Sequence, residues 1–283
     1  MTDIAKLAEI VDEATRTATL VPKLSTQTSL TLAEAYEIQA ASVARRLARG
    51  DAMIGAKMGM TNPVLRAHFG LEEAVWGRLT RQMRVTDGGE LMLIPHLSPR
   101  VEAELVFLLK KPLSGPVSPA EAMTAVEAVA PTIEIICTRF DDLAFTLVDA
   151  VADNVSSFGI CVGAWNQPDI DISNLGMVLE INGRVVQVGS SAALAGHPAR
   201  SLAAASRLAG EVGVELQAGW IILAGSATTP TAIEPGMHIR HVIEKLQQAD
   251  HGTGQRRQLM GRGDQIPQVH VLHGYMTPFQ PRG

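Results

Sequence analysis

The stretch PRVEAELVFLL (residues 99–109) decides the fold. Apolar and charged residues alternate from Val101 to Leu105, and a fully apolar run follows from Val106 to Leu109. A period of two is typical of a β-strand with one face against a core. The stretch therefore predicts a long strand on which Glu102 and Glu104 share a face.

Further segments have the same strand-like character. They cover 132–137, Val178–Ile181, Arg184–Val188, Trp220–Leu223, His238–Ile243 and Val269–Leu272. Asn182-Gly183 lies between two of them and is a dipeptide typical of a tight hairpin turn. Strands are therefore predicted to dominate the second half of the chain.

Four helices are predicted from apolar periodicity and capping signals. They cover residues 3–18, Thr31–Gly50, Ser118 to the residue before Pro131, and Ser201–Leu208. The second and third begin with capping boxes, in which Thr31 pairs with Glu34 and Ser118 pairs with Glu121.

No regular strand–helix–strand alternation runs through the chain. We predict instead an α+β protein with a mixed, mostly antiparallel rolled β-sheet and a helical N-terminal part. The predicted organisation is a helical part at 1–50 and a β-roll domain at 51–283, which is expected to carry any catalytic site. Residues 247–268 are polar and lack periodicity, which predicts a surface insertion between two strands.

The composition predicts a soluble globular protein. The chain has 283 residues, of which 46% are hydrophobic, and 24 basic against 29 acidic residues give a net charge of −5. Without a basic block, nucleic acid is not expected as a partner, and no uninterrupted apolar run is long enough to predict a membrane span. Two cysteines and the lack of a basic leader favour the cytoplasm.

Glu102, Glu104 and Glu134 are the candidate metal ligands. The first two lie two residues apart on one strand, so their Cα atoms are expected ~6.6 Å apart on one face. Glu134 alternates with apolar residues on another predicted strand. Carboxylates that converge from two strands form the oxygen-rich site that Mg²⁺ or Mn²⁺ prefers. Spacing alone leaves open that they are the charged outer face of an amphipathic sheet.

Two other segments carry polar groups beside apolar sequence. Lys57, in IGAKMG (54–59), is either partly buried with a lowered pKa that suits proton transfer, paired with a carboxylate, or an ordinary surface lysine. The segment DAVADNVSS (149–157) either hydrogen-bonds a ligand carboxylate or caps its own turn. The sequence contains no P-loop, dinucleotide-binding glycine motif or nucleophile elbow, which excludes several enzyme classes.

Five segments together resemble the hydratase/decarboxylase family of the fumarylacetoacetate hydrolase superfamily. They are IGAKMGMT (54–61), PRVEAELVFLL (99–109), PTIEII (131–136), VADNVSSFG (151–159) and LQAGWIILAG (216–225). They follow the family's order and spacing. The resemblance implies a rolled β-sheet fold with a Mg²⁺ (or Mn²⁺) site, whose three carboxylates fall on Glu102, Glu104 and Glu134.

The resemblance also implies roles for other side chains. The family's active-site lysine falls on Lys57, and its polar substrate loop falls on Asp153–Ser157, from which we take Asp153, Ser156 and Ser157 as substrate-binding candidates. Thr61, which follows the lysine motif, is a further candidate. Arg78, or alternatively Arg100, is expected to hold the distal carboxylate of a substrate.

Two activities compete within this family. Hydratases of the vinylpyruvate type usually carry P-D-F-G, with an aspartate that helps to add water, where this chain has AVWGRL (74–79). The segments WGRLT (76–80), NLGM (174–177) and AGW (218–220) resemble the decarboxylases instead. The resemblance therefore implies metal-dependent decarboxylation of 2-oxohex-3-enedioate to 2-hydroxypenta-2,4-dienoate and CO₂, in meta-cleavage catabolism of aromatic compounds.

Three alternatives remain open from the sequence. They are a 2-hydroxypenta-2,4-dienoate hydratase, an inactive hydratase-binding subunit and an acylpyruvate hydrolase. The intact set of three glutamates and Lys57 argues against the inactive subunit, and the hydrolase needs an activated water for which no clear His–Glu pair is present. The expected partners are a small dicarboxylate substrate, the downstream vinylpyruvate hydratase in a physical complex, and further copies of this chain in a homo-oligomer.

Overall fold

A computed structural model describes residues 2–68, 71–94, 97–144, 146–244 and 268–273. The helices are α1 (Ile4–Thr17), α2 (Leu32–Ala48), α3 (Pro63–His68), α4 (Pro119–Thr124), α5 (Leu147–Ala152) and α6 (Pro198–Glu211). The strands are β1 (Met53–Gly59), β2 (Val75–Thr80), β3 (Arg84–Val85), β4 (Glu90–Met92), β5 (Arg100–Leu109), β6 (Val126–Ile136), β7 (Ser157–Val162), β8 (Gly176–Ile181), β9 (Arg184–Ser190), β10 (Ile221–Ser226), β11 (Thr231–Ala232), β12 (His238–Ile243) and β13 (Gln268–His273).

The strands form two sheets. The larger runs in the order β2-β1-β10-β5-β6-β7-β3, with β11 added beside β5, and the smaller runs in the order β4-β13-β12-β8-β9. The pairs β1–β10, β3–β7 and β12–β13 are parallel, and the other pairings in the described ranges are antiparallel. The predicted α+β class and its mixed, mostly antiparallel rolled β-sheet are confirmed, although the strands divide between two sheets.

The core explains why the long strand alternates. Val101 and Ala103 of β5 and Ile133 of β6 are fully buried and pack with Leu179 and Ile239 of the smaller sheet. The glutamates between them therefore project from the opposite face of the large sheet.

The N-terminal helices pack on the far end of the same sheet. Leu7 and Val11 of α1 and Ile38 of α2 share a core with Val75 of β2 and Val151 of α5. The capping box of Thr31 and Glu34 is present at the start of α2. The predicted division at residue 50 falls in the turn between α2 and β1 and stays a prediction as a domain boundary.

The third predicted helix is wrong in its length. The capping box at Ser118 is present, but α4 ends at Thr124, and the chain enters β6 at Val126 rather than continuing to Pro131. The apolar residues from Val126 onward are buried against β5, so strand pairing outweighs helix periodicity. Pro131 lies just beyond the regular ladder with β7, whose last pair is Thr132 and Val162, and its C=O still accepts a hydrogen bond from the Gly163 N–H.

Other local predictions agree with the structure. Asn182 and Gly183 both have positive φ in the hairpin between β8 and β9. Six strands lie outside the segments predicted as strands, namely β1, β2, β3, β4, β7 and β11. The predicted insertion at 247–268 lies outside the described residues, except for Gln268 at the start of β13. In the described ranges, no helix is both long and apolar enough to cross a membrane.

Candidate active site and metal centre

Three carboxylates meet on the concave face of the large sheet. Glu102 and Glu134 are directly opposite each other in the β5–β6 ladder, and Glu104 lies two residues further along β5. One carboxylate oxygen from each lies within 4.8 Å of the others. Glu104 and Glu134 are fully buried. These residues therefore do not form the charged outer sheet face that their spacing alone left open.

Holding three acids together, two of them fully buried, has an electrostatic cost. Burial raises the pKa of Glu102 to about 7, although the positive charge of Lys57 opposes this shift. Burial, together with the charges of Glu134 and Glu102, raises the pKa of Glu104 well above its usual value. Like carboxylates this close repel one another unless a cation lies between them.

The cluster fits a divalent cation. Glu104 Oε2 accepts a hydrogen bond of 2.9 Å from the Gly225 backbone N–H, but its Oε1 is buried without a hydrogen-bond partner. An orphaned anionic oxygen in a buried site costs free energy that a bound metal ion would recover. The donor set consists of carboxylate oxygens, which Mg²⁺ and Mn²⁺ prefer.

Lys57 completes the cluster from β1. Its Nζ donates a hydrogen bond of 3.1 Å to Glu134 Oε2, and its side chain is 3% exposed. Burial by itself would lower the pKa of Lys57, but the charges of Glu134, Glu102 and Glu104 outweigh burial and raise it. Of the alternatives raised by the sequence, the structure shows pairing with a carboxylate, not a lowered pKa or a surface position.

Ser157 holds the other oxygen of Glu134. Its Oγ donates a hydrogen bond of 2.7 Å to Glu134 Oε1. The Glu134 carboxylate is therefore held on both sides, by Lys57 at Oε2 and by Ser157 at Oε1. Ser157 therefore contacts a predicted metal ligand directly.

A cavity of about 410 Å³ opens from this cluster. Lys57, Thr61, Glu102 and Ser156 line it, and Arg100 lines it as well. Thr61 Oγ1 is buried and has no hydrogen-bond partner in the described structure. The remaining wall includes the apolar side chains of Ile136, Leu143, Ala150 and Val155.

Asp153 lies away from the cavity and pairs with Arg139. The Arg139 Nε and the backbone N–H of Arg139, at 3.1 Å, both donate to the Asp153 carboxylate. Both side chains are fully buried. Burial raises the pKa of Asp153, although Arg139 opposes this shift. The pair anchors the start of the loop that carries Ser156.

Arg78 also lies outside the cavity lining. Its guanidinium donates to Gln39 Oε1 and stacks over the Trp76 ring at 4.5 Å from the centroid. It is 8% exposed. The structure thus places Arg100, and not Arg78, beside the candidate substrate site.

The loop after Asp153 has an unusual backbone that the sequence did not indicate. Asn154, Val155 and Ser156 all have φ between 51° and 57°, and for a β-branched residue such as Val155 this conformation is strained. The Asn154 side chain stabilises it by exchanging two hydrogen bonds with the backbone of Arg78, at 2.7 and 2.8 Å. This geometry presents Val155 and Ser156 to the cavity.

Gly225 is a second feature that the sequence did not indicate. Its φ is +99°, and a Cβ there would lie 2.7 Å from Thr61 Cγ2 and closer still to Thr61 Oγ1. The same residue donates its N–H to Glu104. Only glycine allows the backbone to contact both the predicted ligand Glu104 and the cavity residue Thr61.

The rolled sheet and its buried carboxylates define a class of metal-dependent enzymes. A model of the fumarylacetoacetate (FAA) hydrolase C-terminal family matches residues 71–255, and the chain belongs to this family. Within it, the chain is 46% identical over 243 residues to a 4-oxalocrotonate decarboxylase from Pseudomonas sp, a match that covers 86% of this chain and 95% of that protein.

Two further comparisons bear on the activity. The structure of a 4-oxalocrotonate decarboxylase from Pseudomonas putida G7, complexed with magnesium and adipate, superposes with a TM-score of 0.81 at 28% identity and covers 96% of this chain and 98% of that chain. A 2-hydroxyhexa-2,4-dienoate hydratase from Comamonas testosteroni is 32% identical and covers 83% of this chain and 91% of the hydratase.

Proposed function

We propose that this chain is a Mg²⁺- or Mn²⁺-dependent carboxy-lyase that converts 2-oxohex-3-enedioate to 2-hydroxypenta-2,4-dienoate and CO₂. The observation that carries the proposal is the cluster of Glu102, Glu104, Glu134 and Lys57, of which Lys57 and Glu102 line a cavity, in a chain 46% identical to a 4-oxalocrotonate decarboxylase. The cavity volume of about 410 Å³ is in the range of small-molecule sites.

Decarboxylation requires an electron sink for the electron pair of the broken bond. The bond between C5 and C6 breaks, C6 leaves as CO₂, and the electron pair moves through C4 and C3 to the oxygen on C2, which then takes up a proton. Glu102, Glu104 and Glu134 would hold the metal ion, which supplies Lewis-acid stabilisation of negative charge at the C1–C2 end of the substrate. No nucleophilic residue is required.

Lys57 acts at the same end of the substrate. Its Nζ donates a hydrogen bond of 3.1 Å to the ligand Glu134, so as an ammonium Lys57 stabilises developing negative charge on the C2 oxygen and supplies a proton there. Ser157 positions Glu134 through its 2.7 Å hydrogen bond.

The two ends of the cavity suit the two ends of the substrate. Thr61 and Ser156 offer hydroxyl groups near the glutamates, and the unpartnered Thr61 Oγ1 gains a partner when it binds the C1 carboxylate. Arg100 and Glu102 lie two residues apart on β5 and share a face, with Cα atoms ~6.6 Å apart. This spacing is similar to the distance between the two carboxylates of a six-carbon dicarboxylate. Arg100 orients the C6 carboxylate on entry.

The apolar wall then favours release of CO₂. Val155, Leu143 and Ile136 line the cavity that Arg100 and Lys57 also line. A carboxylate loses favourable hydration beside such a wall, whereas neutral CO₂ has little hydration to lose. Desolvation therefore favours the step that removes the charge.

A hydratase is the second candidate, favoured by relatives such as the hydratase at 32% identity. Adding water to 2-hydroxypenta-2,4-dienoate requires an acid–base group beside the substrate. At the position where hydratases usually have aspartate, this chain has Val75, which is 3% exposed within the helix-facing core. Among the described cavity residues, Glu102 is the only acid. The site therefore supports decarboxylation better than hydration.

The proposal extends to the cellular setting. We place the protein in the cytoplasm, in meta-cleavage catabolism of aromatic compounds, as a homo-oligomer and in complex with the downstream vinylpyruvate hydratase. Such a complex would pass on a labile dienol product directly. Size determination of the chain alone, and after mixing with that hydratase, tests both assemblies.

Two assays on the purified protein test the activity. In the first, 2-oxohex-3-enedioate is added with Mg²⁺ or with EDTA, and substrate loss and CO₂ are followed together. Equimolar CO₂ in Mg²⁺ and none in EDTA is the expected result. In the second, freshly made 2-hydroxypenta-2,4-dienoate is added, and hydration without any CO₂ release in the first assay would assign a hydratase instead.

A further inference from the structure

A second and larger cleft lies on the other side of the loop that carries Ser156. Its volume is about 540 Å³, and it is lined by residues of α1, α2, β3 and β4. Four arginines line it, namely Arg16, Arg46, Arg49 and Arg84, against two acids, Asp51 and Glu90. We call it the arginine cleft. Nothing in the proposed decarboxylation uses it.

Arg46 is the buried cation of this cleft, and its hydrogen-bonding capacity is mostly unused. It is 8% exposed. Its Nη2 donates to Thr15 Oγ1 at 3.3 Å, and its Nε is buried without an acceptor. A guanidinium has five N–H donors, and in the described structure no hydrogen bond of Nη1 is found. Leaving a buried charged group so poorly satisfied is costly unless a ligand completes it.

The nearby carboxylate of Asp12 does not satisfy Arg46. Asp12 Oδ1 lies 3.9 Å from Arg46 Nε, which is too far for a hydrogen bond. Asp12 is instead held by Arg49 through two hydrogen bonds, at 2.6 and 2.7 Å, and by Arg45 at 3.0 Å. Burial and the charge of Arg139 lower the pKa of Arg46 to about 10, so it remains a cation at neutral pH.

Two other side chains that line the cleft have polar atoms without a protein partner in the described ranges. Arg84, at the edge strand β3, is exposed and forms no ion pair with a residue of the described ranges. Asp51 Oδ2 is buried and accepts no hydrogen bond, whereas its Oδ1 accepts from the backbone of Ala52 and Gln82. The cleft thus offers unpaired donors from two arginines and one unpaired acceptor.

We propose that the arginine cleft binds a small oxyanion that also carries a hydroxyl group, such as a hydroxycarboxylate or hydrogen phosphate. The oxyanion accepts hydrogen bonds from Arg46 and Arg84, for which planar guanidinium groups are well suited. The hydroxyl group donates to Asp51 Oδ2. The ligand thereby satisfies the three side chains that the protein leaves incomplete.

The arginine cleft and the metal centre share one residue, Ser157. Ser157 lines the arginine cleft, and its Oγ donates to Glu134 in the metal cluster. Val155 and Ser156, directly before it in the chain, line the substrate cavity instead. The loop therefore separates the two cavities.

Calorimetric titration of the metal-free full-length protein tests the proposal. The probes are inorganic phosphate, malate and succinate, of which succinate lacks the hydroxyl group. We expect saturable binding of phosphate or malate, with the more tightly bound of the two identifying the oxyanion, and weaker binding of succinate. Absence of saturable binding by both phosphate and malate, or equal binding of malate and succinate, overturns the proposal as stated.

Variants locate the binding. Arg84→Glu, at an exposed position, and Arg46→Met are each expected to weaken binding at least about tenfold. Arg184→Glu makes the same charge change as Arg84→Glu on the distant hairpin strand β9 and is expected to leave binding unchanged. Arg100→Gln controls for anion binding in the substrate cavity. Binding that survives Arg84→Glu but is lost in Arg100→Gln assigns the anion to the substrate cavity and overturns the proposal.

Discussion

Lys57 Nζ and Glu134 Oε2 lie 3.1 Å apart although two strands separate β1 from β6 in the sheet. Three strand spacings in a flat sheet amount to about 14 Å, which is too far for these two side chains to meet. The pair therefore exists only because the sheet curls around the carboxylates. The curvature of the sheet therefore assembles the site.

Removal of the Lys57 charge should separate turnover from metal binding. In Lys57→Met we expect CO₂ release to fall by about 10²-fold or more, because the proton donor at the C2 oxygen is lost. Mn²⁺ binding, measured by electron paramagnetic resonance, should persist, because the three carboxylates remain. Lys110→Met, at an exposed position, serves as the control. Normal turnover in Lys57→Met would contradict the role given to Lys57.

Ser157 should act through the metal rather than through the substrate. Ser157→Ala removes the 2.7 Å hydrogen bond to Glu134 Oε1, and loss of such an outer contact typically weakens metal affinity by about 10–100-fold. We expect a higher Mg²⁺ requirement, with kcat largely restored at saturating Mg²⁺ and an unchanged KM for the substrate. Ser114→Ala on the surface is the matched control, and a defect that Mg²⁺ does not relieve would assign Ser157 to the substrate.

Substitution of the two candidate arginines should change different properties, the KM for one and the melting temperature for the other. Arg100→Gln is expected to raise the KM for the dicarboxylate about tenfold or more, with an unchanged melting temperature. Arg78→Gln is expected to lower the melting temperature, because it breaks the buried contacts with Gln39 and Trp76. A raised KM in a stable Arg78→Gln protein would reverse the assignment.

Gly225 can be tested against a glycine of similar backbone geometry. Gly213 has φ +73° and open space where a Cβ would lie, whereas a Cβ at Gly225 overlaps Thr61. Gly213→Ala should cost only the strain of a positive φ, about 1–2 kcal/mol. Gly225→Ala should cost more, measured by urea unfolding, and should reduce Mn²⁺ affinity by displacing the N–H that holds Glu104. Equal costs would show that the close approach to Thr61 is unimportant.

Without metal, Glu102 should make stability fall as pH rises. Burial raises the pKa of Glu102 from 4.5 to about 7, so between these values the folded protein holds a proton that the unfolded chain has lost. Its contribution is full below pH 4.5 and is lost as pH rises through 7, which amounts to about 3 kcal/mol.

Urea unfolding of metal-free protein at about pH 5 and about pH 8 measures this effect. The comparison is with Glu102→Gln, which removes both the titration of Glu102 and the effect of its charge on the pKa of Glu104. The wild type should lose more stability than the variant over this interval, and Mg²⁺ should remove the difference by favouring the ionised carboxylate. A smaller loss in the wild type than in Glu102→Gln would contradict the assignment.

The sequence predicted the carboxylate face well, because period-two alternation on PRVEAELVFLL and TIEIIC directly reports which side chains share a face. It failed at β1 and β2, where Gly55 and Gly77 interrupt the apolar pattern of the strands. It also failed at Asp153, because a polar residue beside a predicted site gives no sign that a distant Arg139 will bury and neutralise it. Such pairings depend on tertiary contacts that no local pattern records.

The most direct test of the account titrates metal-free protein with Mn²⁺ and records bound ion and CO₂ release in the same samples. The account predicts that CO₂ release from 2-oxohex-3-enedioate rises in proportion to bound Mn²⁺ and saturates at a single ion per chain, and that Glu134→Gln shows neither. CO₂ release at full rate before any ion is bound, or tight binding of Mn²⁺ by Glu134→Gln with normal turnover, would contradict it.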